Sequence, residues 1–480
     1  MNIPIVVYFL GWVLNIEAIF MLFPCLIALI YGESSGFYFL GTSVMCALLG
    51  WFLTHRRPEN TIFYAREGFV SVSLGWIVLS LFGALPFFLS GEIPAFEDAL
   101  FEVISGFTTT GASVLADIES LSRCMLFWRC LAIWIGGMGV LVLLLAILPL
   151  AGGYSMHLMR AESPGPSVGK LVPKVKATAK ILYVIYFFMT VIQIFILLLS
   201  GMPWFDSLTM SLSTAGTGGF GVLNSSAASY SPFQQNILAI FMILFGVNFN
   251  VYYLLLTKRA KDALLSEEVR YYLLIILASI ALITWNTRSL FTDFQEALHH
   301  SFFQVATIIT TTGLSTTDFN LWPSFSKTIL LLLMFIGGCA GSTAGGIKVS
   351  RFAIVIKSVK RELSSLIHPR SVKMIKFEGK PIDKAILRSI YIYFITYLFI
   401  FTLSILILNI DNYDMVTNFS AVCTTLNNCG PGLEQVGPAA NFGFLSPVYK
   451  YVLMFDMLAG RLELFPMLLL FWPRTWMKNQ

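Results

Sequence analysis

Apolar runs dominate the chain, broken by short polar interruptions. Runs of spanning length lie at about 3–31, 36–54, 69–90, 123–150, 181–201, 232–257, 271–290, 324–357, 387–410 and 447–473. About 20 helical residues cross the roughly 30 Å hydrocarbon core of a bilayer, so the pattern predicts ten crossing helices. Between some of them lie segments of a second kind. Each begins with a helical apolar pattern too short to cross, reaches a glycine, and runs out into polar residues. A short helix that enters a membrane and must return is re-entrant, and its irregular return path is tolerated only against protein or a wet cavity.

Four such segments align. They read LFEVISGFTTTGAS, SLTMSLSTAGTGGF, FFQVATIITTTGLS and FSAVCTTLNNCGPG, which places Gly111, Gly218, Gly313 and Gly430 in one column at intervals of about 100 residues. Each has a lead-in that is aromatic plus acidic: Phe96-Glu97-Asp98, Phe205-Asp206, Phe294-Gln295-Glu296 and Tyr413-Asp414. A second small-residue motif follows about 25–30 residues later: IGGMG (135–139), FGVNF (245–249), IGGCAG (336–341) and LAGRLE (458–463). The unit is helix, re-entrant helix, loop, helix. The expected fold is an all-α polytopic membrane protein with four pseudo-symmetric helix–pore-loop–helix repeats around a central ion pore, plus two extra N-terminal helices. The units are 1–54, the N-terminal pair; 55–150, 151–257 and 258–357, the first three repeats; and 358–480, the fourth.

Charge adds orientation. The interhelical segments alternate between basic and nearly Lys/Arg-free, and about 24 of the 31 basic residues fall on one side. The positive-inside rule makes that side cytoplasmic, and ten crossings then put both termini there. Charged residues form only 12% of the chain against 57% hydrophobic, where soluble domains carry about 25% charged residues. The basic residues flank apolar spans and build no single face, which argues against a nucleic-acid partner. The run from Ile3 to about Tyr31 is too long for a signal-peptide core and reads as a retained helix. Seven cysteines without a CxxC, and five histidines without HxxxH or HExxH, suggest packed thiols and no metal centre. No His, Asp or Ser–His constellation converges in the spans, so an enzyme is disfavoured.

The repeated loops suit a different chemistry. Inward-facing backbone carbonyls can replace an ion's hydration shell. Glycine gives the backbone the dihedrals that such aiming needs, and Thr hydroxyls can brace the loop. No ring of Asp or Glu occurs in the four segments, so neutral ligands and a large monovalent cation fit best. The run GGCAGSTAGGIK carries Gly337, Gly338, Gly341, Gly345 and Gly346 before Lys348. Each glycine is about 1 kcal/mol worse than Ala in a helix. Residues 339–347 are therefore expected to leave the helix and gate the pore below the loops, with simple small-residue helix packing as the alternative. Arg461 lies inside the last span with Asp456 and Glu463 close in sequence. It either lines the pore and touches the gate loop, or forms a structural ion pair.

These features together resemble the Trk/Ktr/HKT superfamily of potassium transporters, most closely its bacterial TrkH type, over essentially the whole chain. The four loops, the N-terminal pair, MRAESPGP (159–166) and IGGCAGSTAGGIK (336–348) carry the resemblance. It implies a potassium-selective pore in the bacterial inner membrane, a homodimer embedded in lipid, and a cytoplasmic ring of TrkA-type nucleotide-binding regulators. It implies potassium as the transported substrate, with no organic cofactor in this chain. By resemblance the filter falls on Thr110-Gly111, Thr217-Gly218, Thr312-Gly313 and Cys429-Gly430, and Gly341, Gly345, Gly346, Lys348 and Arg461 belong to the gate. Relatives with Ser at the first glycine tend to pass sodium, so Gly111 favours potassium. A sodium-permeable or sodium-coupled transporter of the same superfamily is the alternative.

Overall fold

The computed structural model describes residues 1–59, 64–139, 175–369 and 374–477. Its regular elements are helices, apart from one two-stranded hairpin, Lys376–Phe377 with Lys380–Pro381. Among the described residues, six helices are long and apolar enough to cross a membrane: Ile3–Tyr31, Gly36–Thr54, Ala65–Ser90, Lys180–Leu199, Glu267–Thr287 and Lys384–Leu408. Their outer faces carry bare large apolar side chains, such as Leu29, Phe52, Phe195 and Leu277, as lipid contact requires.

The re-entrant pattern is present four times, as Phe96–Phe107, Trp204–Gly216, Phe294–Ile309 and Met415–Leu426. At 1.5 Å per residue these 12–16-residue helices are about 18–24 Å long, short of a full crossing. Their acidic lead-ins have a physical role. Glu97, Asp98, Asp206 and Glu296 sit in first turns, and Asp414 accepts from the Val416 and Thr417 amides. Negative charge there complements the helix dipole and the free amides. The turns that follow the carboxyl ends of all four helices lie against one another.

Three predicted spans are not continuous. The span expected at 232–257 is Pro232–Phe245 and Phe249–Leu256, bent by 89°. That expected at 324–357 is Ser324–Ile336 and Val349–Ile367, with a non-helical segment between. That expected at 447–473 is Pro447–Arg461 and Phe465–Phe471, broken where Glu463 and Leu464 take left-handed φ of 61° and 67°. The helix Arg123–Gly137 ends at the corresponding motif of the first repeat. The rest of the span expected at 123–150, and MRAESPGP, lie outside the described residues. Each break falls at a small-residue motif, for a packing reason. A Cβ on Gly136 would stand 1.8 Å from the Phe107 carbonyl oxygen, and one on Gly460 2.1 Å from that of Leu426. These glycines let the second helix touch the end of the re-entrant helix.

The N-terminal helices pack by the same device, with Gly11 and Gly50 in mutual backbone contact. They are tied to the first repeat by Glu33, whose carboxylate accepts from the Arg123 and Cys124 amides at 2.7 and 2.9 Å. All seven cysteines are free.

Candidate functional site: a four-strand ring and the segment beneath it

After each re-entrant helix the chain makes the same three-residue turn. Thr109, Thr217, Thr311 and Asn428 take left-handed φ of 58°, 56°, 55° and 54°. Two residues on, Gly111, Gly219, Gly313 and Gly430 take φ of 78°, 69°, 87° and 97°. The residues between them, Thr110, Gly218, Thr312 and Cys429, donate their amides to the carbonyls of Ser105, Ser213, Thr307 and Thr424 at 2.8, 3.1, 2.8 and 2.8 Å. The four turns are the same structure.

They also close on one another. A Cβ on Gly111 would lie 1.9 Å from the Gly218 carbonyl oxygen, and one on Gly219 1.9 Å from that of Thr312. One on Gly313 would lie 2.4 Å from the Cys429 oxygen, and one on Gly430 2.7 Å from that of Thr110. First repeat touches second, second third, third fourth, and fourth first. The middle carbonyls thus form a closed ring packed so tightly that no side chain fits at the four glycines. A cavity of about 210 Å³ on the Lys/Arg-poor side is lined by all four of these glycines.

This corrects one register. The sequence column holds Gly218, but the geometric counterpart of Gly111 is Gly219, and Thr217-Gly218 matches Thr109-Thr110. Two adjacent glycines made either alignment possible on one column alone. The pattern common to all four is Thr or Asn, any residue, then Gly, and that spacing points to Gly219.

The ring is braced unequally. In the first and third repeats a hydroxyl pair spans the turn, Thr108 with Thr110 and Thr310 with Thr312, each at 2.8 Å. In the fourth, the Asn428 side-chain amide donates to the Thr110 hydroxyl at 3.0 Å and to the Met457 carbonyl at 2.9 Å. Behind the first two strands lies a buried ion pair that sequence reading missed. Arg129 Nε donates to Glu102 at 2.8 Å, and the guanidinium also reaches the Gly221 carbonyl and covers the Phe220 ring. The same carboxylate accepts from the Ser113 hydroxyl and the Val114 amide. No spacing rule links residues so far apart in the chain.

Below the ring, on the basic side, runs the segment between Ile336 and Val349. The Gly345 amide donates to the Thr311 hydroxyl at 2.6 Å, and the Gly346 amide to the Asn427 carbonyl at 2.9 Å. A Cβ on Gly345 would meet that carbonyl at 2.4 Å. Cys339 donates to the Gly246 carbonyl, and Phe249 donates to that of Gly341, both at 3.0 Å. The segment is therefore held against the break of the second repeat and the turns of the third and fourth. Gly341 and Gly346 have φ of 72° and 75°, and Lys348, buried, takes φ 87° and donates to the Gly345 carbonyl at 3.2 Å.

Arg461 donates to the Thr343 carbonyl of this segment at 3.0 Å, and to Gly136 and Gly137 of the first repeat at 2.5 and 2.6 Å. The ion pair of Glu463 is with Arg351, and Asp456 accepts from Ser404. So Arg461 bridges the segment to the first repeat, and both neighbouring carboxylates are engaged elsewhere.

The fold and its ring define an integral membrane protein of one chain and four pore-loop repeats, related by approximate fourfold symmetry. Residues 35–478 match the family described as a cation transport protein, TrkH. The chain is 39% identical to the Trk system potassium uptake proteins TrkH of Salmonella typhimurium and Escherichia coli, over 95% of each chain. It is 34% identical to the Escherichia coli Trk system potassium uptake protein TrkG over 98% of both. The crystal structure of the potassium transporter TrkH from Vibrio parahaemolyticus superposes with a TM-score of 0.89 at 33% identity, covering 99% of this chain and 100% of that one. The chain belongs to the TrkH family of cation transport proteins.

Proposed function

We propose that this protein takes up potassium across the bacterial inner membrane through a filter formed by the four-strand ring. The observation that carries the reading is the closed cycle of contacts from Gly111 to Gly218, Gly219 to Thr312, Gly313 to Cys429 and Gly430 to Thr110. The carbonyls of Thr110, Gly218, Thr312 and Cys429 replace the ion's water, and Gly111, Gly219, Gly313 and Gly430 permit their approach. The carboxyl ends of four helices face the same point, and their partial negative charge favours a cation. Thr217 acts one step earlier, as the counterpart of Thr109. That its relatives are potassium uptake proteins supports the same substrate.

The segment around Gly341, Gly345, Gly346 and Lys348 is the gate, since it lies against the ring from below. Arg461 places a positive charge beside that gate and raises the barrier to cations. The basic loops put both termini in the cytoplasm and give a TrkA-type nucleotide-binding regulator its docking face; two copies of the chain form a homodimer. Expression in cells lacking their own potassium uptake tests the reading. Growth on low potassium should be restored by the parent chain and abolished by Gly219→Ser. Growth that depends on added sodium would favour the sodium-coupled alternative.

A further inference from the structure

The hairpin on the basic side is linked to the gate segment by two acidic residues. Its turn, Glu378-Gly379, has φ of 51° and 73°. Both residues are left-handed, as a type I′ turn requires, and Asn-Gly meets that geometry with less strain than Glu-Gly. The glutamate is engaged. Its carboxylate accepts from the Ser266 hydroxyl at 2.9 Å and the Glu268 amide at 3.0 Å, at the start of the helix Glu267–Thr287. Its own amide donates to Glu267 at 3.1 Å, and Lys357 ties Glu267 to the Lys376 carbonyl. The next residue, Glu268, is buried and turns the other way. Its carboxylate accepts from the Ala340 amide at 2.7 Å, inside the gate segment. One turn of helix thus has the hairpin on one side and the gate segment on the other.

We propose that Glu378 and Glu268 are positioning residues through which the hairpin sets the seat of the gate segment. Glu378 fixes the first turn of the helix, and Glu268 holds Ala340 against the break at Gly246–Asn248. A load on the hairpin from the cytoplasm moves that turn and changes how firmly the segment is held beneath the ring. The inference rests on the reading of the segment as the gate.

The test is potassium flux by the full chain in proteoliposomes without a regulator. Glu378→Asn eases the turn but shortens the acceptor; Glu268→Ala removes the anchor of Ala340. Both should raise maximal flux about 3- to 10-fold, with half-saturation and potassium-over-sodium preference within about twofold of the parent. Glu378→Gln keeps an acceptor at full length and should behave as the parent. A double Gly345→Ala, Gly346→Ala variant probes the gate directly. If it alters flux while Glu378→Asn and Glu268→Ala do not, the relay is wrong and the gate reading stands. If none of them alters flux, the gate reading fails and the relay with it. If Glu378→Asn changes ion preference together with flux, it disturbs the filter, and the relay is overturned.

Discussion

The ring and the layer beneath it are built from the same four repeats, yet they obey different rules. In the ring the strands share φ values, amide partners and neighbour contacts almost residue for residue. One layer down, one repeat ends its helix at Gly137, one bends by 89°, one opens into the segment before Val349, and one presents Arg461. If the ring is the proposed filter, an ion in it needs ligands from all sides, so asymmetry there costs selectivity. If the lower layer gates, as proposed, one repeat must move while the others hold still, so asymmetry there is useful. Changes in the ring should alter which ion passes; changes beneath it should alter how much passes.

The largest effect is expected at Gly219. A Cβ there meets the backbone of the third strand at 1.9 Å in a left-handed conformation, whereas at Gly218 it meets the Ile133 side chain at 2.7 Å, and a side chain can rotate away. Gly219→Ala should lower potassium uptake by about 100-fold or more, equivalent to about 2.7 kcal/mol or more, and Gly218→Ala by far less. Uptake measured with both variants checks the register directly; equal losses would return the filter position to Gly218.

A middle effect belongs to the lower layer. A unit charge about 10 Å from the ion path, at an effective dielectric of about 20, raises the barrier by about 1–2 kcal/mol. Arg461→Ala should therefore raise potassium flux about tenfold and leave ion preference unchanged. Flux under matched potassium and sodium gradients decides it, and a shift in preference would move Arg461 into the filter's own account.

The smallest concerns the braces. Thr108→Val removes the hydroxyl bridge to Thr110, about 1 kcal/mol of stability. Its unfolding temperature in detergent should fall slightly, with uptake close to the parent's. A large loss of selectivity would show that the hydroxyl, more than the backbone, shapes the ring.

The same division explains what the sequence disclosed. Four turns that each need a left-handed glycine, after a short helix with an acid in its first turn or, in the fourth, at its N-cap, leave a repeated mark in the chain. The breaks leave less. FGVNF is mostly apolar through its bend, and RLELF sets only two charges between longer apolar stretches, so the hydropathy of both spans runs on where the helix does not. Asn248 gives one local cue, as it caps the next helix by accepting from the Asn250 amide, but Leu464 at φ 67° has none. Glu102–Arg129 and Glu268–Ala340 are contacts between distant residues, which only the folded chain brings together. The glycine-rich run before Lys348 was legible because five glycines in ten residues cannot sustain a helix.

The central claim, that four equivalent carbonyls select potassium, is tested most directly by the reversal potential of the purified chain in a planar bilayer with potassium and sodium gradients opposed. The parent should reverse near the potassium equilibrium potential, and Gly111→Ser should move that value towards sodium's. A parent that reverses midway between the two, or a Gly111→Ser variant that keeps the parent's value, would contradict the account.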